Sequence, residues 1–491
     1  MIRPLLLSSL LASVALAQGQ APNVVLILAD DMGYGDVHAL QPESKLATPN
    51  LDRLAAQGMT FTDAHSPSAV CTPTRYGLLT GTYCWRSRLK SGVLGGYSTP
   101  LLDAGQATLG SLFQGSGYRT GAVGKWHLGM QLPKLSEEAN TAAWAGDPGI
   151  DFAGVITDGP LQHGFDSYFG VSASLDMAPY VYVRNDHFAA QPTEQQAAQP
   201  FPAFVRKGPR SIDFRIENVL DDLAREAVTF IEGAAAEDAP FFLYMPLTAP
   251  HKPTIPHEHF RGRSGLGDYG DFVQQVDWTI GRVLKALDQN KLTENTLVIM
   301  TSDNGSYMHL VESTKREHVS ASGVQAYHAD QHRPNGNWRG TKADIYEAGH
   351  RVPFFVRWPG QVKAGSSCAQ TVCQVDLFAT FAELLGTEVP EGAAQDSHSL
   401  LPLWRGSADA VRGAPVVHHS VNGTFALRDG PWKAVFCSGS GGREKPRGKP
   451  FDAVRLFNLQ ADPGEAQDVA AANPEVVARL TKTLAEIRGA D

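Results

Sequence analysis

Three stretches of the chain, Asn23-Val24-Val25-Leu26-Ile27-Leu28-Ala29, Phe241-Phe242-Leu243-Tyr244-Met245 and Thr296-Leu297-Val298-Ile299-Met300, run almost without a polar residue. A strand with one wet face alternates polar and apolar side chains, so short continuous runs of this kind read as strands covered on both faces. Between them the period changes. Val219, Leu220, Leu223, Ala227, Phe230 and Ile231 share one helical stripe, and Phe272, Val276, Ile280, Val283, Leu284 and Leu287 share another. Buried strands alternating with amphipathic helices predict an α/β domain built on a large, mainly parallel sheet sandwiched by helices. Ligands of such sheets bind beyond the carboxyl ends of the strands. Asp30-Asp31 follow the first run, His251 lies beyond the second, and Asp303-Asn304 follow the third. Three polar clusters therefore fall on one sheet edge, which core residues would not do.

The apolar stretch from Val375 to Leu385 reads as a helix closing the large domain, and Pro390 to Ser397 as a linker. The expected division is residues 18–389 for a catalytic domain and 390–491 for a small α+β domain. That domain has strand-like runs near Val416-Val417-His418 and Trp432 to Phe436, a turn at Arg428-Asp429-Gly430, and a last helix carrying Leu480, Leu484 and Ile487. Gly439 to Lys449 reads as an exposed Gly/basic loop. Irregular stretches at about 130–165, 184–215 and 306–337 exceed simple connectors, a sign of functional loops.

Residues 1–17 have the form of a secretory signal: Arg3, an apolar run, then Ala15-Leu16-Ala17. The apolar run falls short of the roughly 20 residues a membrane span needs, so the expectation is an exported protein, periplasmic or secreted, without a span. A net charge of -9 and the lack of a long basic run argue against nucleic acid as a partner. If Cys71 is chemically converted, the other cysteines (Cys84, Cys368, Cys373, Cys437) are left either paired or as free thiols, and sequence does not choose.

Asp30, Asp31, Asp303 and Asn304 offer hard oxygens, which suit Ca²⁺ or Mg²⁺ rather than zinc. An Asp pair alone is usually a cap or turn, and Ser302-Asp303-Asn304-Gly305 alone a good turn; at matching strand ends together they form a ligand set. Cys71-Thr72-Pro73-Thr74-Arg75 places a cysteine at a helix start, because Pro73 suits a first turn and Leu78-Leu79 continue an apolar face. Free N–H groups there favour anions. A lone cysteine is more often a packing or disulfide residue, and what sets this one apart is its company.

The segment, extended through Leu78-Leu79-Thr80-Gly81, resembles the sulfatase motif Cys-x-Pro-x-Arg. Asp30-Asp31, Gly124-Lys125-Trp126-His127-Leu128-Gly129, Pro250-His251, Ser302-Asp303-Asn304-Gly305 and Arg339-Gly340-Thr341-Lys342 follow the order of type I sulfatases. On these residues the chain is identified as a member of the formylglycine-dependent sulfatases (arylsulfatase A-like, alkaline-phosphatase-like superfamily), with a C-terminal domain similar to their small antiparallel sheet. The resemblance implies hydrolysis of a sulfate monoester, on a carbohydrate and also on aryl sulfates. Cys71 would be oxidised to formylglycine by a maturation enzyme and share a Ca²⁺ or Mg²⁺ with Asp30, Asp31, Asp303 and Asn304. One hydroxyl of the aldehyde hydrate attacks sulfur, and loss of a proton from the other expels sulfate. Arg75 would orient the hydrate; Lys125 and Lys342 would hold sulfate oxygens; His127 would take the second hydroxyl's proton; His251, with Lys342, would protonate the leaving oxygen; Asp303 could activate the attacking hydroxyl.

Ser174 resembles a serine some sulfatases use near the site, and Asp176, His332, Arg333, His418 and His419 are candidates for recognising the group that carries the sulfate. Tyr327 to Arg333 is histidine-rich and open to a second metal or to substrate contact. Two other readings are a phosphoesterase of the same superfamily, which would use Ser or Thr and two metals, and a non-catalytic binder of sulfated glycans in which Cys71 stays a thiol.

Overall fold

The computed structural model describes residues 21–407 and 410–489; the expected signal, residues 1–17, lies outside the described residues. The first apolar run is strand β1 (Asn23–Asp30), every residue of it buried. Chain order then gives β2 (Met59–Phe61), β3 (Arg119–Lys125), β4 (Ser167–Val171), β5 (Val183–Arg184), β6 (His187–Phe188), β7 (Phe241–Pro250), β8 (Thr296–Ser302), β9 (Phe354–Arg357) and β10 (Ser366–Cys368). They form one sheet of 10 strands in the order β10-β2-β9-β8-β1-β7-β3-β4-β5-β6. The central neighbours β8, β1, β7, β3 and β4 are all parallel; in β1, Leu26 lies between Tyr244 and Ile299. Strand β9 returns antiparallel beside β8. The sheet is thus mainly parallel, as the covered runs required.

Helices α1 (Pro49–Gln57), α2 (Cys71–Thr80), α3 (Leu109–Gly115), α4 (Val219–Ala234), α5 (Gly267–Gln289) and α6 (Leu377–Leu385) surround it. Both sequence-read stripes, on α4 and α5, are buried along their length. The expected helix from Val375 opens as a tight 3-10 turn at Gln374–Asp376 before α6. Leu400, Leu401, Leu403 and Trp404 pack into the large core.

The C-terminal part is an antiparallel sheet of 4 strands, β11 (Val416–His419), β12 (Phe425–Asp429), β13 (Trp432–Val435) and β14 (Arg455–Asn458), with helix α7 (Pro474–Arg488) against it. Asp429 pairs with Trp432 across the expected turn. This sheet is stitched to the large one. The Ala69 N–H donates to the His419 carbonyl oxygen at 2.9 Å, and the Val421 N–H to the Ala343 oxygen at 3.1 Å.

A buried ionic cluster reinforces the seam. Lys433 Nζ, on β13, donates to Glu347 Oε1 at 3.1 Å and lies 2.8 Å from Glu465 Oε1, all three side chains fully enclosed. His65, His350 and His418 lie beside it, and burial above all holds each imidazole below its usual range. His419, next along β11, is pushed by burial down to about 4. The unfolded chain binds a proton there below about pH 6.5 and the folded one does not, so this stability is present above pH 6.5 and lost as pH falls. His419 alone should cost about 2 kcal/mol between about pH 7 and pH 5. Urea unfolding of wild type and His419→Phe at both pH values tests this: the variant should lose about that much pH dependence, and equal slopes would refute it.

Candidate active site

Four adjacent parallel strands deliver the site. Strand β1 ends on Asp30 with Asp31 next, β8 is followed by Asp303 and Asn304, β7 by His251, and β3 ends on Lys125 with His127 beyond. The edge read from sequence is thus one physical surface. Gly124 comes before Lys125 for a steric reason. Its φ is +142° and a Cβ would lie 1.8 Å from the Pro246 oxygen, so only glycine lets β3 lie this close to β7. Asp31 has φ of +67°, a left-handed conformation that aspartate tolerates better than most residues.

Helix α2 begins at Cys71 and all of its residues are buried. The helix start therefore faces the enclosed corner rather than an open surface. Arg75, one turn on, donates from Nε and Nη2 to Asp303 Oδ2 at 3.1 and 2.8 Å, and from Nη1 to the Lys125 carbonyl oxygen at 2.7 Å. Lys125 Nζ donates to Asp30 Oδ2 at 2.7 Å. Lys342 Nζ reaches both oxygens of Asp31, at 2.6 and 2.8 Å. The Asp31 N–H donates to Asp303 Oδ1 at 3.1 Å and Asn304 Nδ2 to Asp31 Oδ1 at 2.7 Å.

These charges shape one another. Burial opposes ionisation of Asp30, yet Lys125, His251, Arg75 and Lys342 together hold it far below the carboxylate range. Burial raises Asp31, with Lys342 opposing, and lifts Asp303 to about 7 with the Asp30 charge adding to it. Three enclosed carboxylates thus resist being ionised together. Asp30 Oδ1 and Asn304 Oδ1 are buried with no hydrogen-bond partner, and an orphaned buried acceptor costs about 1–3 kcal/mol. Hard oxygens without donors beside mutually repelling carboxylates are what a divalent cation would satisfy, so the donor set fits Ca²⁺ or Mg²⁺. Burial lifts the Cys71 thiol above its usual range despite Lys125 and Lys342, so it is not an activated thiolate.

The histidines differ in their free nitrogens. His127 Nε2 meets the Leu94 carbonyl oxygen at 2.8 Å, so it carries the hydrogen, and the unpartnered Nδ1 is left with the lone pair. His251 Nδ1 meets the Lys252 carbonyl oxygen, leaving Nε2 free, 3.7 Å from Asp31 Oδ2. Burial holds both imidazoles well below their usual range, with Lys125 adding to it at His127 and Lys342 at His251.

The remaining candidates divide. Ser174 is buried with an unpartnered Oγ, on the segment whose Ser172 oxygen accepts from the His127 N–H at 3.0 Å. Asp176 pairs through Oδ2 with Arg206, while its Oδ1 has no partner. Neither His332 nor Arg333 hydrogen-bonds to the constellation. His332 Nε2 binds Asp36 Oδ1 at 2.8 Å, and Arg333 donates to Asn337 at 3.2 Å. Among the described residues the stretch from Tyr327 to Arg333 joins no metal-ligating group.

His418 and His419 are buried in the small sheet rather than set on a substrate surface. His418 approaches His65 and His350 closely enough to suggest a metal triad. Ring geometry opposes this. The His350 and His418 rings are stacked at 3.7 Å, 8° from parallel, and a metal about 2.0–2.1 Å from each nitrogen cannot lie in both ring planes. The cysteines Cys84, Cys368, Cys373 and Cys437 are all free thiols.

Sequence reading missed the loop after β13, taken for an exposed one. Gly439 to Gly442 are buried against the segment that carries Lys342, and a Cβ on Gly442 would lie 2.3 Å from the Ala343 oxygen. A run of glycines without an apolar pattern gives no hint of such docking.

The sulfatase family model matches residues 22–387, and a model described as N-sulphoglucosamine sulphohydrolase, C-terminal, matches residues 338–438. An N-acetylgalactosamine-6-O-sulfatase of Bacteroides thetaiotaomicron is 35% identical over 507 residues, covering 96% of this chain and 93% of that protein. Human arylsulfatase A is 31% identical, covering 96% and 89%. A solved structure from work on glycosaminoglycan metabolism by Bacteroides thetaiotaomicron superposes with a TM-score of 0.82 at 33% identity, covering 96% of this chain and 99% of that one. The phosphonate monoester hydrolase of Agrobacterium radiobacter shares the fold alone, with a TM-score of 0.60 at 20% identity over 95% of each chain. With its family match spanning most of its length, the chain belongs to the sulfatase family, enzymes that hydrolyse sulfate esters.

Proposed function

We propose that this sulfatase removes sulfate from a sulfated carbohydrate, and cleaves aryl sulfates as well, with Cys71 oxidised to formylglycine by a maturation enzyme. The observation that carries the reading is that Cys71 opens α2, whose Arg75 binds Asp303, in the buried acidic corner where Asp30 Oδ1 and Asn304 Oδ1 are left without donors. A buried thiol held in its neutral form is a poor nucleophile, whereas a hydrated aldehyde supplies two hydroxyls on one carbon, one to displace the alcohol and one to release sulfate. Asp30, Asp31, Asp303 and Asn304 would hold a Ca²⁺ or Mg²⁺ ion, which when bound supplies positive charge for a sulfate oxygen.

The chain's own residues do the rest. Arg75, fixed by Asp303 and the Lys125 carbonyl, orients the residue at position 71. Lys125 and Lys342 face the developing charge on the transferring group as preorganised cations. His127, with Nδ1 bare, accepts the proton of the second hydroxyl, and the Lys342 ammonium supplies the proton for the leaving oxygen, relayed through the free Nε2 of His251, which approaches the same Asp31 carboxylate. Ser174 and Asp176 contact the sugar. Residues 18–389 form the catalytic domain and residues 390–491 the small one, which reaches back into the large core through Leu400 to Trp404, and the protein is exported to the periplasm or beyond. Among the described residues no helix is long and apolar enough to cross a membrane.

The test uses protein from a host that carries the maturation enzyme. The mass of the peptide containing residue 71 should match an aldehyde in place of the thiol. Matched aryl sulfate and aryl phosphate esters should release sulfate far faster than phosphate, and a chelator should stop the reaction until Ca²⁺ or Mg²⁺ is restored. Normal sulfate release by protein with an intact thiol would reject the mechanism, and faster phosphate release would reject the substrate.

A further inference from the structure

The loop after β13 carries Arg443 to the mouth of the site. Its backbone is fixed there: the Arg443 and Glu444 N–H groups donate to Asp344 Oδ1 at 2.5 and 3.1 Å, and the Ile345 N–H to the Ser440 oxygen at 2.7 Å. Across the mouth, Lys252 follows His251 and sets its Nζ 4.8 Å over the Phe204 ring. The two cations feel one another: burial and then Arg443 press the Lys252 ammonium down to about 8.

Charge pairing singles these two out. Lys342 is matched by Asp31, Arg206 by Asp176, and Arg339 by Glu444. Among the described residues neither Lys252 nor Arg443 has a carboxylate within salt-bridge distance, about 4 Å. Two neighbouring, half-buried, unmatched cations repel each other, and an anion between them would relieve that repulsion. A groove of about 340 Å³, lined by His309, Thr341, Asp344 and Glu444 among others, opens next to the Arg443 backbone, though neither Arg443 nor Lys252 lines it. That volume is within the range of small-molecule pockets.

Resting on the saccharide reading above, we propose that Arg443 and Lys252 form a second anion site, separate from the one that holds the scissile sulfate. It takes a carboxylate or sulfate borne by the sugar next to the one being desulfated, and so selects polyanionic saccharides. Arg443 provides the planar fork that suits either group.

Steady-state kinetics on three sulfated disaccharides tests the proposal. In one the neighbouring sugar is a uronate; in the second that carboxyl is reduced to the alcohol; in the third the reduced sugar carries a second sulfate. Wild type should favour at least one anionic form over the neutral one by about 10- to 100-fold in kcat/KM, the scale of charge-assisted hydrogen bonds. Which anionic form wins tells carboxylate from sulfate. Arg443→Gln should collapse the preference, mainly through KM, and Arg443→Lys should restore part of it. Equal wild-type rates on all three overturn the proposal even if no variant folds, and so does a preference that survives in Arg443→Gln. Failure to release sulfate from any of them or from an aryl sulfate would instead bring down the functional reading, and this inference with it.

Discussion

Replacing Cys71 by alanine should lower kcat/KM for a sulfate ester by at least about ten-thousand-fold, the scale seen when a covalent nucleophile is deleted. The change trims the first residue of α2 to a methyl group, losing the thiol or the aldehyde made from it, and the helix ends as before at Gly81, whose N–H donates to the Gly77 oxygen at 2.9 Å. Large-to-small changes at a buried position cost in proportion to the volume lost, so the fold should persist and the urea midpoint should move little. The pair of measurements matters. Lost turnover with unchanged unfolding assigns chemistry to residue 71, whereas lost turnover with a collapsed fold would assign only packing. Retention of more than about a tenth of the activity would end the nucleophile assignment.

The largest stability effect is expected outside the proposed catalytic set, at Lys433. Its ammonium lies between Glu347 and Glu465 with no exposure to solvent. Burial raises Glu465, with Lys433 opposing; burial also works against Glu347, yet Lys433, His65, Arg351 and His350 hold it well below the carboxylate range. Lys433→Met would strand buried negative charge, a loss of about 3–5 kcal/mol. Adding Glu465→Gln removes one of the stranded charges and should recover part of that loss. Urea unfolding of the single and double variants checks this. A single variant within about 1 kcal/mol of wild type would show that solvent or relaxation already serves these groups.

Most of the residues that the structure gathers at the candidate site were picked out in the sequence for one physical reason. A strand buried on both faces announces itself by composition, and the residues just past it must lie at the sheet edge; Asp30, Asp31, Asp303, Asn304 and His251 were legible on that ground. Strand β3 was not read as a strand, because Arg119-Thr-Gly-Ala-Val-Gly-Lys125 shows neither an apolar run nor alternation. Its glycines answer to close neighbours, Pro246 at Gly124 and Phe230 at Gly121. Lys125 and His127 therefore came only through resemblance. The pairing of Asp176 with Arg206, the enclosure of His418 and the docking of Gly442 are contacts across 30 to 100 residues or more. No local pattern encodes them. The His-rich stretch forms no metal-ligating group among the described residues, because His332 turns to Asp36 and His328 to the Lys315 carbonyl oxygen, partners that no local pattern gives away.

The seam between the two sheets has a consequence for engineering. The His419 carbonyl holds the residue two before Cys71, and Val421 holds the residue after Lys342. A chain trimmed after the large sheet would therefore lose the clamp on the segment before Cys71 and on the one after Lys342, and a C-terminal domain grafted from a relative would import new alignment together with new selectivity.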